Sequence, residues 1–315
     1  MWQYHRRALA ALWCVISLWW SPPALSQACC GPPTVSLAGA ERGVDPTAPL
    51  TISVSYSFTH FTRTANGTAT IPDPLGRRAL SHLWRAEAEL VLHPGWSVLV
   101  SLPLTFKERR LQIDTLAEVY RAAGLGDAMA LLKHDLSPRS LLSPWSIALG
   151  TGFKAPTGPS DLERNGVRLP RDIQPGTGTW EALAWGLIAA TSSDALFSLV
   201  LSTMVRVPLH ANALGYQTGT ELQALLVGNW LDCPATWLLP GLALRLRMTT
   251  PDYLNGQPFP ATGGIWVDVL PALTVLAEPF AARLQGTVPV FRRTRGPQLV
   301  HTWGITAESR WSPKP

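Results

Sequence analysis

The chain has 315 residues, of which 46% are hydrophobic and only 15% are charged, and its formal net charge is +5. Typical globular domains have roughly 25% charged residues. The basic excess is too small and too dispersed for a nucleic-acid-binding surface, and the length allows one large all-β domain or two ordinary domains.

The first 28 residues have the pattern of a cleaved secretory signal peptide. Arg6 and Arg7 form a basic region, an apolar stretch covers residues 8–20, and Ser26 and Ala28 are the small residues expected before a cleavage site. We predict cleavage after Ala28, with cleavage after Ser26 or a short membrane anchor as alternatives. Beyond this segment, no apolar run approaches the ~20 residues that a spanning helix needs.

Three cysteines remain after the signal peptide: Cys29, Cys30 and Cys233. In an oxidising compartment, an odd number predicts one disulfide and one modified or free thiol. Cys30 could pair with Cys233, and Cys29 could be lipidated as the first mature residue. The three thiols are also candidate ligands for Cu(I) or zinc, and these alternatives stay open. Residues 29–49, which are rich in proline and glycine, are predicted to be a periplasmic lead-in.

Leu50 to His60 alternates apolar and polar side chains without a break, in the order Leu-Thr-Ile-Ser-Val-Ser-Tyr-Ser-Phe-Thr-His. This period of two is typical of an extended strand. In a soluble sandwich the apolar side would pack in a core. In an outer-membrane barrel it would contact lipid, and the hydroxyl side would face a polar interior.

About twelve strand-like segments follow one another, an even number, as single-chain bacterial barrels require. Their predicted spans are Leu50–His60, His82–His93, Trp96–Lys107, Leu125–Asp135, Trp145–Lys154, Gly176–Ala190, Ala195–Val207, Thr218–Leu231, Trp237–Thr249, Gly264–Leu276, Phe280–Phe291 and Leu299–Trp311.

The connections between these segments are sorted by length. Those after odd-numbered segments are long, as in 61–81 and 155–175, whereas most of those after even-numbered segments are short, as in 94–95 and 277–279. Outer-membrane barrels have short periplasmic turns and long external loops. We therefore predict that residues 50–315 form a single transmembrane antiparallel up-and-down β-barrel of the bacterial outer membrane, with both termini in the periplasm.

The polar sides of the segments carry charges of both signs, which we expect to face the barrel interior. The candidate residues are Arg85, Glu87, Glu89, Lys154, Glu181, Arg206, Glu221, Arg245, Arg247, Arg283 and Arg310. Their arginine excess would suit anionic or hydrogen-bonding solutes in a narrow channel. The alternative is an ion-pair lattice that simply fills the interior, because unpaired buried charge is costly.

Three glycine-containing motifs lie in the central third of the chain: Gly124-Leu125-Gly126-Asp127, residues 152–158 (Gly-Phe-Lys-Ala-Pro-Thr-Gly) and residues 175–180 (Pro-Gly-Thr-Gly-Thr-Trp). In order and spacing they resemble the outer-membrane barrel family named for the meta-pathway of phenol degradation, whose members are described as transporters. The resemblance covers residues 50–311. It implies a β-barrel associated with the passage of small, often hydrophobic organic compounds.

The expected function is thus an outer-membrane channel or transporter for small hydrophobic or anionic organic solutes. Its expected partners are the lipid bilayer, the solute and the barrel assembly machinery, with no nucleic acid and no cofactor. The alternatives are a structural or metal-handling envelope barrel with a periplasmic cysteine site, and a lipid hydrolase that would use Ser81 with His82 or His60 near the external rim. No nucleophile motif surrounds this serine, so no enzyme activity is expected.

Overall fold

The structure, a computed structural model, describes residues 41–44, 48–113, 116–137 and 144–313. The predictions for the signal peptide and for Cys29 and Cys30 lie outside these residues. The strands are β1 Leu50–Gly67, β2 Ala69–Ile71, β3 Arg78–His93, β4 Trp96–Ile113, β5 Leu116–Leu125, β6 Ala128–Asp135, β7 Trp145–Ala155, β8 Glu163–Arg164, β9 Val167–Arg168, β10 Glu181–Thr191, β11 Phe197–Pro208, β12 Tyr216–Gln217, β13 Glu221–Trp230, β14 Leu238–Thr249, β15 Tyr253–Leu254, β16 Gln257–Pro258, β17 Gly264–Ala277 and β18 Phe280–Trp311.

Antiparallel pairing of neighbouring strands closes the sheet into a ring. The order is β1, β3, β4, β6, β7, β10, β11, β13, β14, β17, β18 and back to β1. The closing pair runs from Ile52 opposite Trp311 to Gly67 opposite Thr294. Because the first and last strands pair, the chain forms a closed barrel and not two stacked sheets, as predicted.

The last strand crosses the barrel wall twice. Its residues 280–294 pair with β17, and its residues 294–311 pair with β1. The Ser312 N–H donates to the Pro279 carbonyl at 2.9 Å, so the two ends of β18 lie side by side and the chain turns back near Gly296, whose φ is +77°. The eleven strand elements of the ring therefore give twelve passages, which agrees with the predicted number.

The two faces of β1 lie in different environments. Ile52 and Val54 are 40% and 45% exposed on the outside of the barrel, whereas Ser53 and Ser55 are 3% and 7% exposed on the inside. The same division holds around the ring, where the large exposed hydrophobic residues, such as Leu149, Leu199 and Leu242, alternate with buried residues. An outward apolar face and an inward polar face are what a lipid-embedded barrel requires. No helix among the described residues has the length and apolarity needed to span a membrane.

The connections are also distributed as predicted, but several predicted loops are partly strand. Residues 61–67 extend β1, residues 69–71 form β2, residues 78–81 belong to β3, and residues 292–298 lie within β18. The loops 156–180, 209–220 and 250–263 lie at one end of the barrel, and the opposite end carries tight turns such as 94–95 and 278–279. We assign the end with the long loops as the outer end, because outer-membrane barrels have long external loops. Residues 108–113 and 116–124, predicted as parts of a loop, instead extend β4 and form β5, which pairs with β4. The predicted strand Gly176–Ala190 begins only at Glu181, because the preceding residues pack against other loops.

Candidate functional site

Five charged side chains form a continuous chain of ion pairs at the outer end of the barrel. Lys154 Nζ lies 2.8 Å from Asp127 Oδ2 and 2.8 Å from Glu181 Oε1. Arg206 then contacts Glu181 at 3.7 Å and Glu221 at 3.0 Å. The strand register creates this arrangement. Lys154 is directly opposite Glu181, and Arg206 is directly opposite Glu221 on one side and Leu183, two residues from Glu181, on the other.

The three glycine-containing motifs meet at Asp127 in this chain of ion pairs. The N–H groups of Gly158 and Thr177 donate to the Asp127 carboxylate at 3.2 Å and 2.9 Å. A Cβ on Gly176 would lie 2.2 Å from the Gly158 carbonyl oxygen, so only glycine allows the two loops to approach this closely. The motifs therefore hold one carboxylate at the junction where β5 ends and β6 begins.

A cavity of about 260 Å³ opens at this end of the barrel. Its charged lining residues are five basic and five acidic: Lys107, Lys154, Arg171, Arg206, Arg247, Asp127, Asp172, Glu181, Glu221 and Asp252. Two of the arginines lie over aromatic rings, Arg247 over Trp266 at 4.1 Å and Arg171 over Tyr216 at 3.2 Å. The cavity is therefore close to neutral overall and offers both charged and aromatic surfaces.

Two external loops close one side of this cavity through Asp252. The Gly219 N–H donates to Asp252 Oδ1 at 2.7 Å, the Tyr216 hydroxyl donates to the same carboxylate, and the Asp252 N–H donates to Thr262 Oγ1 at 2.9 Å. Burial raises the pKa of the Asp252 carboxyl above its ordinary value, outweighing the hydrogen bonds from Tyr216 and Gly219 that lower it. Docking of the two loops therefore makes this carboxyl harder to ionise than a free one.

Below the cavity the barrel interior is packed with buried side chains. Leu99, Leu131 and Leu183 are 1%, 0% and 2% exposed and belong to one apolar cluster. Lys133 lies beside this cluster, with its Nζ 2.7 Å from Glu89 and 5.0 Å from the centre of the Trp185 ring. We call the set Leu99, Leu131, Lys133, Leu183 and Trp185 the central belt.

The central belt is continued around the barrel wall by buried charged residues. Asp268 accepts from Arg245 at 2.7 Å and lies 2.7 Å from His301 Nε2. Arg85 lies 3.8 Å from Glu87 on the same strand. Asp268 and Arg85 are only 2% and 4% exposed, so ion pairs fill this part of the interior.

Residues 41–44 lie inside the periplasmic end of the barrel. Glu41 contacts Arg283 at 2.7 Å, and Arg42 contacts Glu308 at 3.5 Å. The Lys133 ammonium donates to the Arg42 carbonyl at 2.8 Å. A second cavity of about 230 Å³, which Arg283 also lines, surrounds this segment. The segment thus occupies part of the periplasmic mouth.

The structure distributes the predicted interior residues over these three levels. The outer end holds Lys154, Glu181, Arg206, Glu221 and Arg247, the middle holds Arg85, Glu87, Glu89 and Arg245, and the periplasmic end holds Arg283 and Arg310. Sequence reasoning does not find Glu41 and Arg42, because their segment has no strand periodicity. Asp127 could be recognised only as a motif residue.

The residues predicted for a lipid hydrolase, Ser81 and His82, lie on opposite faces of β3. Ser81 is 4% exposed on the inner face, whereas His82 lies on the outer face and accepts or donates a 2.8 Å hydrogen bond with Tyr56. Neighbouring residues of a strand point to opposite faces, so Ser81 and His82 do not form a nucleophile and base pair. Cys233 is half-buried and forms no disulfide within the part of the chain that the structure describes. Within the described ranges, no three His, Cys, Asp or Glu residues are grouped as metal ligands.

Comparison with solved structures shows what the fold resembles. An outer-membrane channel from Pseudomonas putida F1 superposes with a TM-score of 0.63 at 12% identity, over 88% of this chain and 99% of that chain. The CymD monoaromatic hydrocarbon channel gives 0.43 at 9% identity, over 85% and 90%. A Pseudomonas aeruginosa FadL homologue gives 0.40 at 7% identity, over 89% and 98%.

No protein-family model matches the sequence, and no curated protein matches it. The first of these superpositions, together with ring closure and the outward apolar face, identifies the architecture. The chain is therefore a β-barrel of the bacterial outer membrane.

Proposed function

We propose that the protein is an outer-membrane channel for small organic solutes that combine an aromatic or apolar part with polar groups. The observation that carries the proposal is the outer cavity. Its volume of about 260 Å³ exceeds that of the ~150 Å³ engineered cavity that holds benzene. A one-ring or two-ring compound therefore fits, and Trp266 and Tyr216 offer it aromatic contacts.

The charge of the cavity refines the expected solute class. The arginine excess expected from the sequence is offset at this end by Asp127, Glu181 and Glu221, which bind the basic groups directly. Net charge alone then gives little preference between anions and cations. A polar solute instead exchanges its own hydrogen bonds with members of the ion-pair chain, so hydroxylated or zwitterionic compounds suit the cavity as well as anions.

Passage through the barrel requires the central belt to move. Leu131 and Lys133 are both completely buried, so the solute path must widen between the outer cavity and the periplasmic cavity. Membership of the phenol meta-pathway family is part of this proposal and is supported by the three motifs that meet at Asp127.

The proposal is tested with the purified protein by measuring currents in planar bilayers and the swelling of reconstituted vesicles in solutions of a test solute. We expect stepwise currents, and vesicle swelling in benzoate as well as in arabinose. Leu131→Ala, which thins the belt, should enlarge the current step, whereas Leu132→Ala on the lipid face should leave it unchanged, since Leu132 is 37% exposed. Silent bilayers and vesicles that do not swell, from folded protein, would show that the barrel is not a channel.

A further inference from the structure

A cluster of basic side chains lies on the outside of the barrel wall, at the outer end of β3, β4 and β5. Arg78 is directly opposite Arg110, and Glu108 is directly opposite Arg121. Directly opposed residues share a face, and even-numbered residues of β4, such as Leu104 at 47% exposure, face lipid. The three arginines and Glu108 therefore point outward, away from the solute path, and carry a net charge of +2. We call them the rim cluster.

The rim cluster is preorganised by its single carboxylate. Glu108 Oε1 accepts from Arg110 Nε at 2.6 Å, and Glu108 Oε2 accepts from Arg121 Nε at 2.7 Å. Each bond engages only the Nε atom of its guanidinium. The two arginine side chains remain 60% and 61% exposed, so their terminal nitrogens are held near each other and open to the surroundings. Paired guanidinium groups bind the oxygens of a phosphate in a bidentate manner.

A row of aromatic side chains lies immediately below the rim cluster on the same outer face of the barrel. His82 and Phe106 are opposite each other one row below Glu108, and their rings are 5.6 Å apart. Phe58 packs on His82 at 5.1 Å and on Trp303 at 5.2 Å. Same-face residues of a strand are about 6.6 to 6.8 Å apart. The arginines therefore follow one or two rows above an interfacial girdle, at the height of lipid headgroups.

We propose that the rim cluster binds the phosphate groups of a glycolipid in the outer leaflet of the membrane. The argument is one of charge and position. The long loops place this end of the barrel on the outside, where the leaflet lipid carries phosphates on a disaccharide headgroup and acyl chains below. Arg78, Arg110 and Arg121 would engage the phosphates, while Phe106 and Phe58 would contact the upper acyl chains. Basic clusters beside a membrane-spanning wall attract anionic headgroups in this manner.

The binding is tested by titrating the folded barrel in detergent with lipid A, with EDTA present, and measuring the bound fraction by native mass spectrometry. Each arginine near an anionic surface contributes roughly a fivefold factor in affinity. The variant Arg78→Gln/Arg110→Gln/Arg121→Gln should therefore bind lipid A about one hundredfold more weakly than the wild type. The control Arg164→Gln/Arg168→Gln removes two arginines from the loop strands β8 and β9 and should bind as the wild type does.

Two further titrations separate the sources of phosphate. Dephosphorylated lipid A should bind the wild type as weakly as lipid A binds the triple variant, and inorganic phosphate at the same concentration should not displace lipid A. Equal binding of both lipids, or equal binding by the triple variant that runs as a folded barrel on unheated gels, would overturn the proposal. Displacement of lipid A by inorganic phosphate would show that the rim cluster binds phosphate itself and not the lipid.

Discussion

Lys154 Nζ lies 2.8 Å from Glu181 Oε1 on the neighbouring strand, and both side chains are about 95% buried. The same ammonium also contacts Asp127, so one cation pairs with two carboxylates at the outer end of the barrel. Breaking a buried pair from one side leaves an unpaired charge, which costs roughly 3–5 kcal/mol.

The first prediction concerns this cation. Lys154→Met leaves the outer ion-pair chain with three carboxylates and Arg206, so we expect the channel to shift toward cation selectivity and the barrel to unfold at lower denaturant concentration. Reversal potentials under a salt gradient measure the first effect. The double variant Lys154→Met/Glu181→Gln should regain much of the original selectivity. An unchanged reversal potential in Lys154→Met would mean that solutes do not pass this group.

The second prediction concerns Gly152 in β7. A Cβ there would lie 2.0 Å from the Ala130 carbonyl oxygen and 2.9 Å from Leu131 Cα. Gly152→Ala should therefore strain the pairing of β6 with β7 and destabilise the barrel by roughly 1–3 kcal/mol, measured by urea unfolding. The matched control is Gly228→Ala in β13, whose Cβ would have its nearest neighbour at 3.8 Å. Equal stability of the two variants would contradict the packing described for β7.

The third prediction concerns the segment inside the periplasmic mouth. Glu41→Gln/Arg42→Gln removes the ion pairs with Arg283 and Glu308. The four side chains are only 12–26% exposed, so the loss in unfolding free energy should exceed the roughly 0–1 kcal/mol of a fully exposed pair. We also expect a larger or more frequently open conductance step in planar bilayers, because the segment is less firmly held. Conductance identical to the wild type would show that residues 41–44 do not restrict the mouth.

The fourth prediction concerns pH. Burial raises the pKa of Asp252 above its ordinary value of 3.8, so folding favours the protonated form. The docking of the two external loops is therefore strongest below about pH 3.8 and weakens as the pH rises through the raised pKa. Hydrogen exchange at the Gly219 amide, corrected for the intrinsic effect of pH, should become faster over this range. Asp252→Asn should remove the dependence, and a persistent dependence would assign it to another group.

The barrel could be predicted from the sequence because its determinants are local. The alternation in residues 50–60 and the alternation of long and short loops can both be read along the chain without knowledge of distant contacts. The predicted strand starts at Trp96 and Gly264 agree with the structure. The sequence does not predict the pairing of β4 with β5, because Glu108, Arg109 and Arg110 interrupt the apolar alternation. Arg109 is explained by a long-range contact, since it pairs with Asp172 in a distant loop, whereas Glu108 and Arg110 pair with each other.

The contents of the interior could be predicted only in part. Parity places Lys154 and Arg206 on the inner face, but their partners depend on the register between strands, which is not evident from one strand alone. The placement of Glu41 inside the barrel depends on a long-range contact with Arg283. The predicted pairing of Cys30 with Cys233 stays a prediction, and thiol counting with and without reductant would test it.

The most direct test of the membrane barrel is a cysteine scan of residues 52–55 in a variant whose native cysteines are serine. Each single-cysteine protein, reconstituted in vesicles, carries a nitroxide label, and its collision rates with oxygen and with a water-soluble nickel chelate are measured. We predict high oxygen accessibility at positions 52 and 54 and low oxygen accessibility at positions 53 and 55. Accessibility without a period of two, or with the opposite phase, would contradict a closed barrel whose apolar face contacts lipid.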